Sequence, residues 1–399
     1  MSMLCRLLRR TNPFRTPHLA VVYVEYAKRN VKTADQPFAI LQQYLASLTG
    51  WRITYLRVDN KDESRPLTKT GNHSFSVGGD NSSHEFSGWQ RGISVLASLP
   101  CHYDLLLIIN DMFLKPGPSF LQDYATPALL EKSVAENKII GRIDSTSQDY
   151  RLFGFDVSSW ICTNCVLIPK QAVDALGDFA LIKDKIHQIF PHSYDPRHLI
   201  RRDQCALETG SGDFRIEYDL PAATRQEIRI KFNSAATGHK TSPPSGGHLP
   251  AIMIKAITIN NQPFPEEWLI RGLMREQGVS WAGQSLLLGL SEDRGQPCRL
   301  AIKGCLPPSL RQEYFSNAIE IVAYNDALLY QPDAPINNAY QRWIVEWLTE
   351  KWHSRFEINQ ATWELFTTKA TAIFNEALLT AKFRALGFSP EAYGDKYYY

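Results

Sequence analysis

Five consecutive aliphatic residues, Leu105 to Ile109, followed by Asn110-Asp111, constrain this chain more than any other feature. Such a run reads as a strand covered on both faces, as the central strands of a parallel sheet are. Residues that follow such a strand sit where open α/β sheets bind ligands, outside the carboxyl ends of the strands. Asp111 is therefore the first candidate site residue. Upstream, Leu19 to Tyr26 reads as a first strand. A helix capped by Thr33 with Gln36 and closed by Gly50 follows, then a second strand from Trp51 to Val58 that ends in Asp59-Asn60. Strand, helix and strand in this order predict a right-handed βαβ unit. A polar cluster, Asp80, Asn81, His84 and Glu85, then opens a helix in which Phe86, Trp89, Ile93 and Leu96 mark the buried face. Glu85 and Trp89, four residues apart, share a face near its start.

The polar stretch Lys61 to Gly79 is expected to be a loop at the binding edge or a disordered insertion. Further on, Lys138 to Ile143 predicts a strand ending at Asp144, and Ser159 to Pro169 another. The Gly-, Pro- and Ser-rich residues 236–250 read as a linker. The expected organisation is thus a basic tail at 1–18, an α/β domain at 19–235, the linker, and a mainly helical domain at 251–399. Within the last, Pro265 to Gln277 is expected to be helical, and two aromatic stripes, one through Tyr340, Trp343 and Trp347, the other through Trp363, Phe366 and Phe374, predict packed helices or, as the alternative, a partner or oligomer interface.

Composition removes several classes. A net charge of +2 with no concentrated basic face argues against a nucleic-acid partner. No stretch approaches the roughly 20 apolar residues of a membrane span. The arginine-interrupted start lacks a secretory pattern, so the expected location is the cytoplasm. Arg6, Arg9, Arg10 and Arg15, interleaved with Leu4, Leu7, Leu8 and Phe14, read either as a frayed basic tail or as a weak peripheral anchor at the inner face of the membrane. Seven scattered cysteines are not a disulfide framework, and Cys162-x-x-Cys165 has no second pair at zinc-site spacing. There is no Gly-rich dinucleotide turn after the first strand, no GxxxxGK[ST] and no GxSxG.

Asp80, Asn81, Glu85, Phe86, Trp89, Tyr103, Asp104, Asn110 and Asp111 together resemble the nucleotide-binding half of GT-A-fold glycosyltransferases, in particular rhamnan-synthesis-type enzymes of bacterial surface polysaccharide clusters. The resemblance spans Leu19 to Leu176. It implies an α/β, Rossmann-like mixed sheet flanked by helices, a nucleotide-sugar donor, and a glycan or lipid-linked glycan acceptor. Donor contacts are expected from Asp59, Asp80, Asn81, Glu85, Trp89, Asn110 and Asp111, and acceptor contacts from Trp160 and Thr163. The D-x-D of metal-dependent members stands here as Asn110-Asp111-Met112.

Sugar transfer requires the charge of a leaving diphosphate to be neutralised, by a divalent cation on carboxylates or by basic side chains and helix N-termini. Asp111 is the candidate ligand for Mn²⁺ or Mg²⁺. Arg142, Arg151 and Arg197 are candidates for the second route. An inverting displacement also needs a carboxylate to take the acceptor's proton, for which Asp144, Asp156 and Asp203 are the candidates. The rival reading is a catalytically degenerate GT-A-like domain that serves as a binding or scaffold protein of a polysaccharide assembly complex.

Overall fold

The computed structural model describes residues 16–26, 36–48, 50–114, 120–222, 226–234, 252–276, 279–290, 296–306, 318–351 and 356–393. Residues 1–15 of the basic tail, the Thr33 cap and the 236–250 linker lie outside them. The chain forms two compact units: residues 1–189 with 333–399, and residues 190–332.

The first unit is built on a mixed sheet of eight strands. Its centre is the aliphatic run, β6 (Leu105–Asn110), flanked by β1 (His18–Glu25) on one side and β10 (Ser159–Pro169) on the other. Beyond β1 come β2 (Arg52–Asp59), β4 (Ser74–Gly78) and β3 (Thr68–Gly71); beyond β10 come β7 (Ile139–Ser145) and β20 (Pro390–Ala392). Strands β4, β2, β1 and β6 are mutually parallel, and β10 runs antiparallel to both β6 and β7. The stretch expected to be a loop is therefore partly a hairpin, β3 and β4. Polar-apolar alternation in Ser74–Gly78 pairs it to β2, and His73 takes the left-handed conformation (φ 59°) that closes the turn.

Alternate residues of each central strand feed two cores. Leu19, Val21, Tyr23, Leu105, Leu107 and Ile109 pack under α1 (Gln36–Ala46); Ala20, Val22, Val24, Leu106 and Ile108 pack under α2 (Glu85–Ser98). Helix α2 lies hard against β1 because its own residues give way. A Cβ on Gly92 would stand 2.4 Å from a Val22 methyl, and one on Gly88 2.9 Å from Val24. This close approach brings the first turn of α2 over the carboxyl end of β1. Helices α3 (Phe120–Tyr124), α4 (Pro127–Glu136) and α5 (Lys170–Leu176) fill out the unit. After the second unit the chain returns with α6 (Asn338–Glu346) and α7 (Trp363–Ala385), a 23-residue helix packed along β10.

The second unit is antiparallel β-sheet. Its strands run in the order β11 (Leu199–Ala206), β19 (Ala318–Asn325), β13 (Gln226–Ser234), β17 (Val279–Leu290), β14 (Ile252–Ile259), β18 (Cys298–Cys305) and β12 (Asp213–Leu220). Two expectations are corrected here. The units divide near 190 and 332, not at 236–250, and the described residues between 252 and 325 are mostly strand, with one short 3-10 turn (Glu266–Trp268) among them and a second (Asp326–Leu329) before the α-helix that starts at Asn338. Residues Leu269–Glu276, expected within a helix, form β16 against β17, because pairing to a long neighbour outweighs the helix propensity of that segment.

Candidate active site

The carboxyl ends of β1, β2 and β6 meet the start of α2 in one polar cluster. Pairing of β1 with β6 ends at Val24 and Asn110, and the next free amide, Tyr26 N–H, donates to Asp111 Oδ2 at 3.4 Å. The Tyr26 hydroxyl donates to Glu85 Oε2 at 3.0 Å, so one tyrosine joins Asp111 and Glu85. Asn60, fully buried after β2, holds the loop before α2. Its Nδ2 donates to His84 O at 2.6 Å and to Asn81 Oδ1 at 3.0 Å, and its Oδ1 accepts from Asn81 N–H at 3.3 Å. Asn81 and His84 adopt left-handed backbone angles (φ 53° and 51°), a local cost that the Asn60 amide offsets.

Helix α7 closes the cluster from the other side. Strand β10 bulges between Cys162 and Val166, and the bulge turns Thr163 outward from the ladder. Thr163 N–H and Oγ1 both donate to Glu376 Oε1, at 2.6 and 3.1 Å. Thr380, one turn on, accepts from Ile161 N–H at 2.9 Å and fixes the helix to the strand. Lys369, two turns before Glu376, lies beside Glu85 and His84. Buried atoms of this region without a hydrogen-bond partner among the described residues include Ser83 Oγ, His84 Nε2 and Asn164 Oδ1.

The electrostatics follow from burial with incomplete compensation. Desolvation raises the Glu85 carboxyl above its ordinary range, opposed by Tyr26 and Lys369. Desolvation, together with the charges of Glu85 and Asp144, raises Glu376 to about 7 despite the two Thr163 donors. Burial and the neighbouring Lys369 lower His84 to about 4, and burial lowers Lys369 itself.

Of the expected donor contacts, the structure brings Asp111 and Glu85 together. Asn110 stands beside them with Oδ1 occupied by Met112 N–H at 3.1 Å, and Asn81 is held by Asn60. Asp59 faces Arg65, at 3.2 Å. Asp80 accepts from Ser82 N–H and pairs with Lys183 at 3.3 Å on a neighbouring cavity of about 560 Å³. Trp89 is a correction. It is 0% exposed, its indole N–H donates to Ile109 O at 3.4 Å, and it packs edge-on against Phe86, so it belongs to the core and offers no face to a sugar ring.

Other expected residues fall elsewhere. Thr163 is buried and spent on Glu376, which makes it a positioning residue and not an acceptor contact. Trp160 packs against Trp343 with ring centres 6.2 Å apart. Among the base candidates, Asp144 reaches the edge of the cluster but is engaged by Arg142 (3.1 Å) and Cys162 Sγ (2.9 Å). Asp156 caps Ser158 at an exposed hairpin. Asp203 belongs to the second unit, paired with Arg201 at 2.7 Å. Arg197 is likewise there, clamped on Asp195. Arg151 is exposed and pairs with Asp149.

No group of three or more His, Cys, Asp or Glu among the described residues is arranged to hold a metal ion. Asp111 is joined to the Glu85 carboxylate through Tyr26, and Asn110 Oδ1 accepts from Met112 N–H; no step below uses a metal ion. The residues missed in the sequence are Tyr26, Asn60, Lys369 and Glu376. For Glu376 a signal exists: it is the lone acid in Ala372 to Leu379, a run apolar but for the neighbouring Asn375.

No helix among the described residues is long and apolar enough to cross a membrane. No protein-family description and no curated protein matches the chain. Among solved structures it is similar to 4-diphosphocytidyl-2C-methyl-D-erythritol synthase from Anaerococcus prevotii, at 9% identity and a TM-score of 0.24, over 40% of this chain and 74% of that one. A likeness of that degree transfers nothing about substrate or activity.

Proposed function

We propose that this protein is a glycosyltransferase that moves a sugar from a nucleotide-sugar donor to a glycan acceptor in surface polysaccharide synthesis. The observation that carries the reading is the Tyr26 bridge, which joins Asp111 at the end of the central strand to Glu85 at the start of α2. Two carboxylates on a sheet's ligand-binding edge suit the hydroxyls of a ribose or a sugar, which a carboxylate accepts from in pairs. Lys369 supplies the cation that a leaving diphosphate needs, and an anion beside it would restore the charge that burial disfavours. The lipid-linked acceptor and the location at the inner face of the membrane rest on the sequence resemblance and the basic tail.

The test is a screen of nucleotide sugars by release of nucleoside diphosphate, with and without Mn²⁺, on the native protein and on Asp111→Ala. The expected outcome is release from one donor class, independent of Mn²⁺, and reduced at least about tenfold in the variant, the loss of one charge-assisted contact. Undiminished release by a folded Asp111→Ala protein removes that residue's role. One observation favours the binding-only reading: Asp111 and Glu85 both already hold an internal partner in Tyr26. Saturable donor binding with no release from any donor would establish it.

A further inference from the structure

We propose that Glu376 of helix α7 is the general base, receiving the acceptor's proton, and that Thr163 positions it; this rests on the sugar-transfer reading. Three observations meet at this residue. Its carboxylate is anchored by one oxygen only: both Thr163 donors reach Oε1, and no described residue holds Oε2. A base needs this arrangement, one oxygen fixing the rotamer and the other free to face a proton. The anchor itself is irregular, since the β10 bulge frees Thr163 N–H from the strand ladder and aims it at the helix. Finally, the carboxylate sits among like charges. Glu85 approaches from α2 and Asp144 from β7, with the Cys162 thiol on β10 and the Tyr340 phenol on α6 completing its titratable surroundings. Arg142, the cation nearest Asp144, is engaged with Asp144 and Cys162. Among carboxylates of this region, Asp144 is engaged by the Arg142 guanidinium and the Cys162 thiol, both on Oδ2, and Asp111 and Glu85 are joined through Tyr26, whereas Glu376 is anchored only by the two neutral donors of one threonine.

In the step assigned to it, the acceptor hydroxyl oxygen forms a bond to the anomeric carbon. The bond from that carbon to the donor's diphosphate oxygen breaks, its electron pair leaving on the diphosphate. The hydroxyl proton passes to Glu376 Oε2. The carboxylate form is required, so transfer rises with pH through the titration of Glu376.

The experiment measures transfer and donor affinity for the native protein, Glu376→Gln and Thr163→Val across pH 5.5 to 9. In Glu376→Gln, kcat is expected to fall about 100-fold or more, the size of a lost general base, with donor Kd within about threefold and the acid limb of the profile absent. Thr163→Val is expected to keep the limb but move it to higher pH, because the carboxylate has lost a donor. An acceptor analogue carrying a thiol in place of the hydroxyl, already partly ionised at pH 8, is expected to recover most of the rate in Glu376→Gln. Transfer by a folded Glu376→Gln protein within threefold of native, with the acid limb unchanged, overturns the proposal while leaving sugar transfer standing. If the native protein releases no nucleoside diphosphate from any donor, the reading beneath it fails and the proposal falls with it.

Discussion

Two carboxylates in this molecule are surrounded by protein and have opposite fates. In the second unit Asp326 is 3% exposed and fully answered. Arg229 Nε donates to Oδ2 at 2.8 Å, His198 Nε2 meets Oδ1 at 3.0 Å, and Arg229 in turn lies over the Tyr324 ring at 4.5 Å. Desolvation is the largest single influence and opposes ionisation, but the charges and hydrogen bonds of Arg229 and His198 together outweigh it and lower Asp326 to about 2. In the first unit Glu376 meets two neutral donors on one oxygen and two like charges nearby, and it is raised to about 7. The same chemical group is locked as an anion in one place and poised near neutrality in the other. The first arrangement serves the fold, whereas the second leaves electrostatic work undone, which is what a group that must change protonation in a reaction requires.

The comparison can be broken most forcefully at Asp326. Asp326→Asn removes the buried anion that Arg229 and His198 both meet, and the expected cost is about 3–5 kcal/mol in urea unfolding of the second unit at pH 7. Because the folded pKa lies below the ordinary aspartate value, this stabilisation is present above pH 4 and fades as pH falls toward 2. A loss under about 1 kcal/mol would mean that the network is ornamental to stability.

Glu376→Gln should have the opposite sign. A carboxyl whose folded pKa is raised penalises folding as pH climbs from the ordinary glutamate range through about 7. With the partial exposure of the side chain discounting the effect, the variant is expected to gain about 1–2 kcal/mol at pH 8 and nothing at pH 4.5, read from melting curves at the two pH values. Equal stability at both would show that the carboxylate is well solvated and would remove the contrast with Asp326. The smallest effect is expected at Thr163. Thr163→Val removes one hydroxyl donor while keeping the backbone one, which should cost about 0.5–1.5 kcal/mol and move the Glu376 carboxyl titration upward in a carbon-13 NMR experiment. An unmoved titration would assign the whole anchor to the backbone amide.

Much of the first unit was legible along the chain. The aliphatic run is the central strand with its buried pattern on both faces, β1 and β2 flank or follow it as a parallel pair, and the apolar spacing of α2 matches its packed face. Asp111 and Glu85 could be named because each stands at the end of a recognisable element. Trp89 misled because helical spacing fixes a face but not what that face meets. Glu85 one turn earlier projects past the sheet edge, while the indole lies over the sheet interior. The β-rich second unit was misread because propensity in segments such as Leu269–Glu276 favours helix, and only pairing to β17 decides otherwise.

The sequence by itself determined which segments are apolar on which side, and hence the strands of the α/β sheet and the carboxylates at their ends, because periodicity and punctuation are local properties of a chain. It could not determine that a glutamate some 265 positions after Asp111 returns to the same edge, held by a threonine freed by a bulge. That meeting depends on an inserted β-unit and on the docking of α7 along β10. Contacts between distant segments are decided by which surfaces fit once the sheet exists, and no local pattern encodes them.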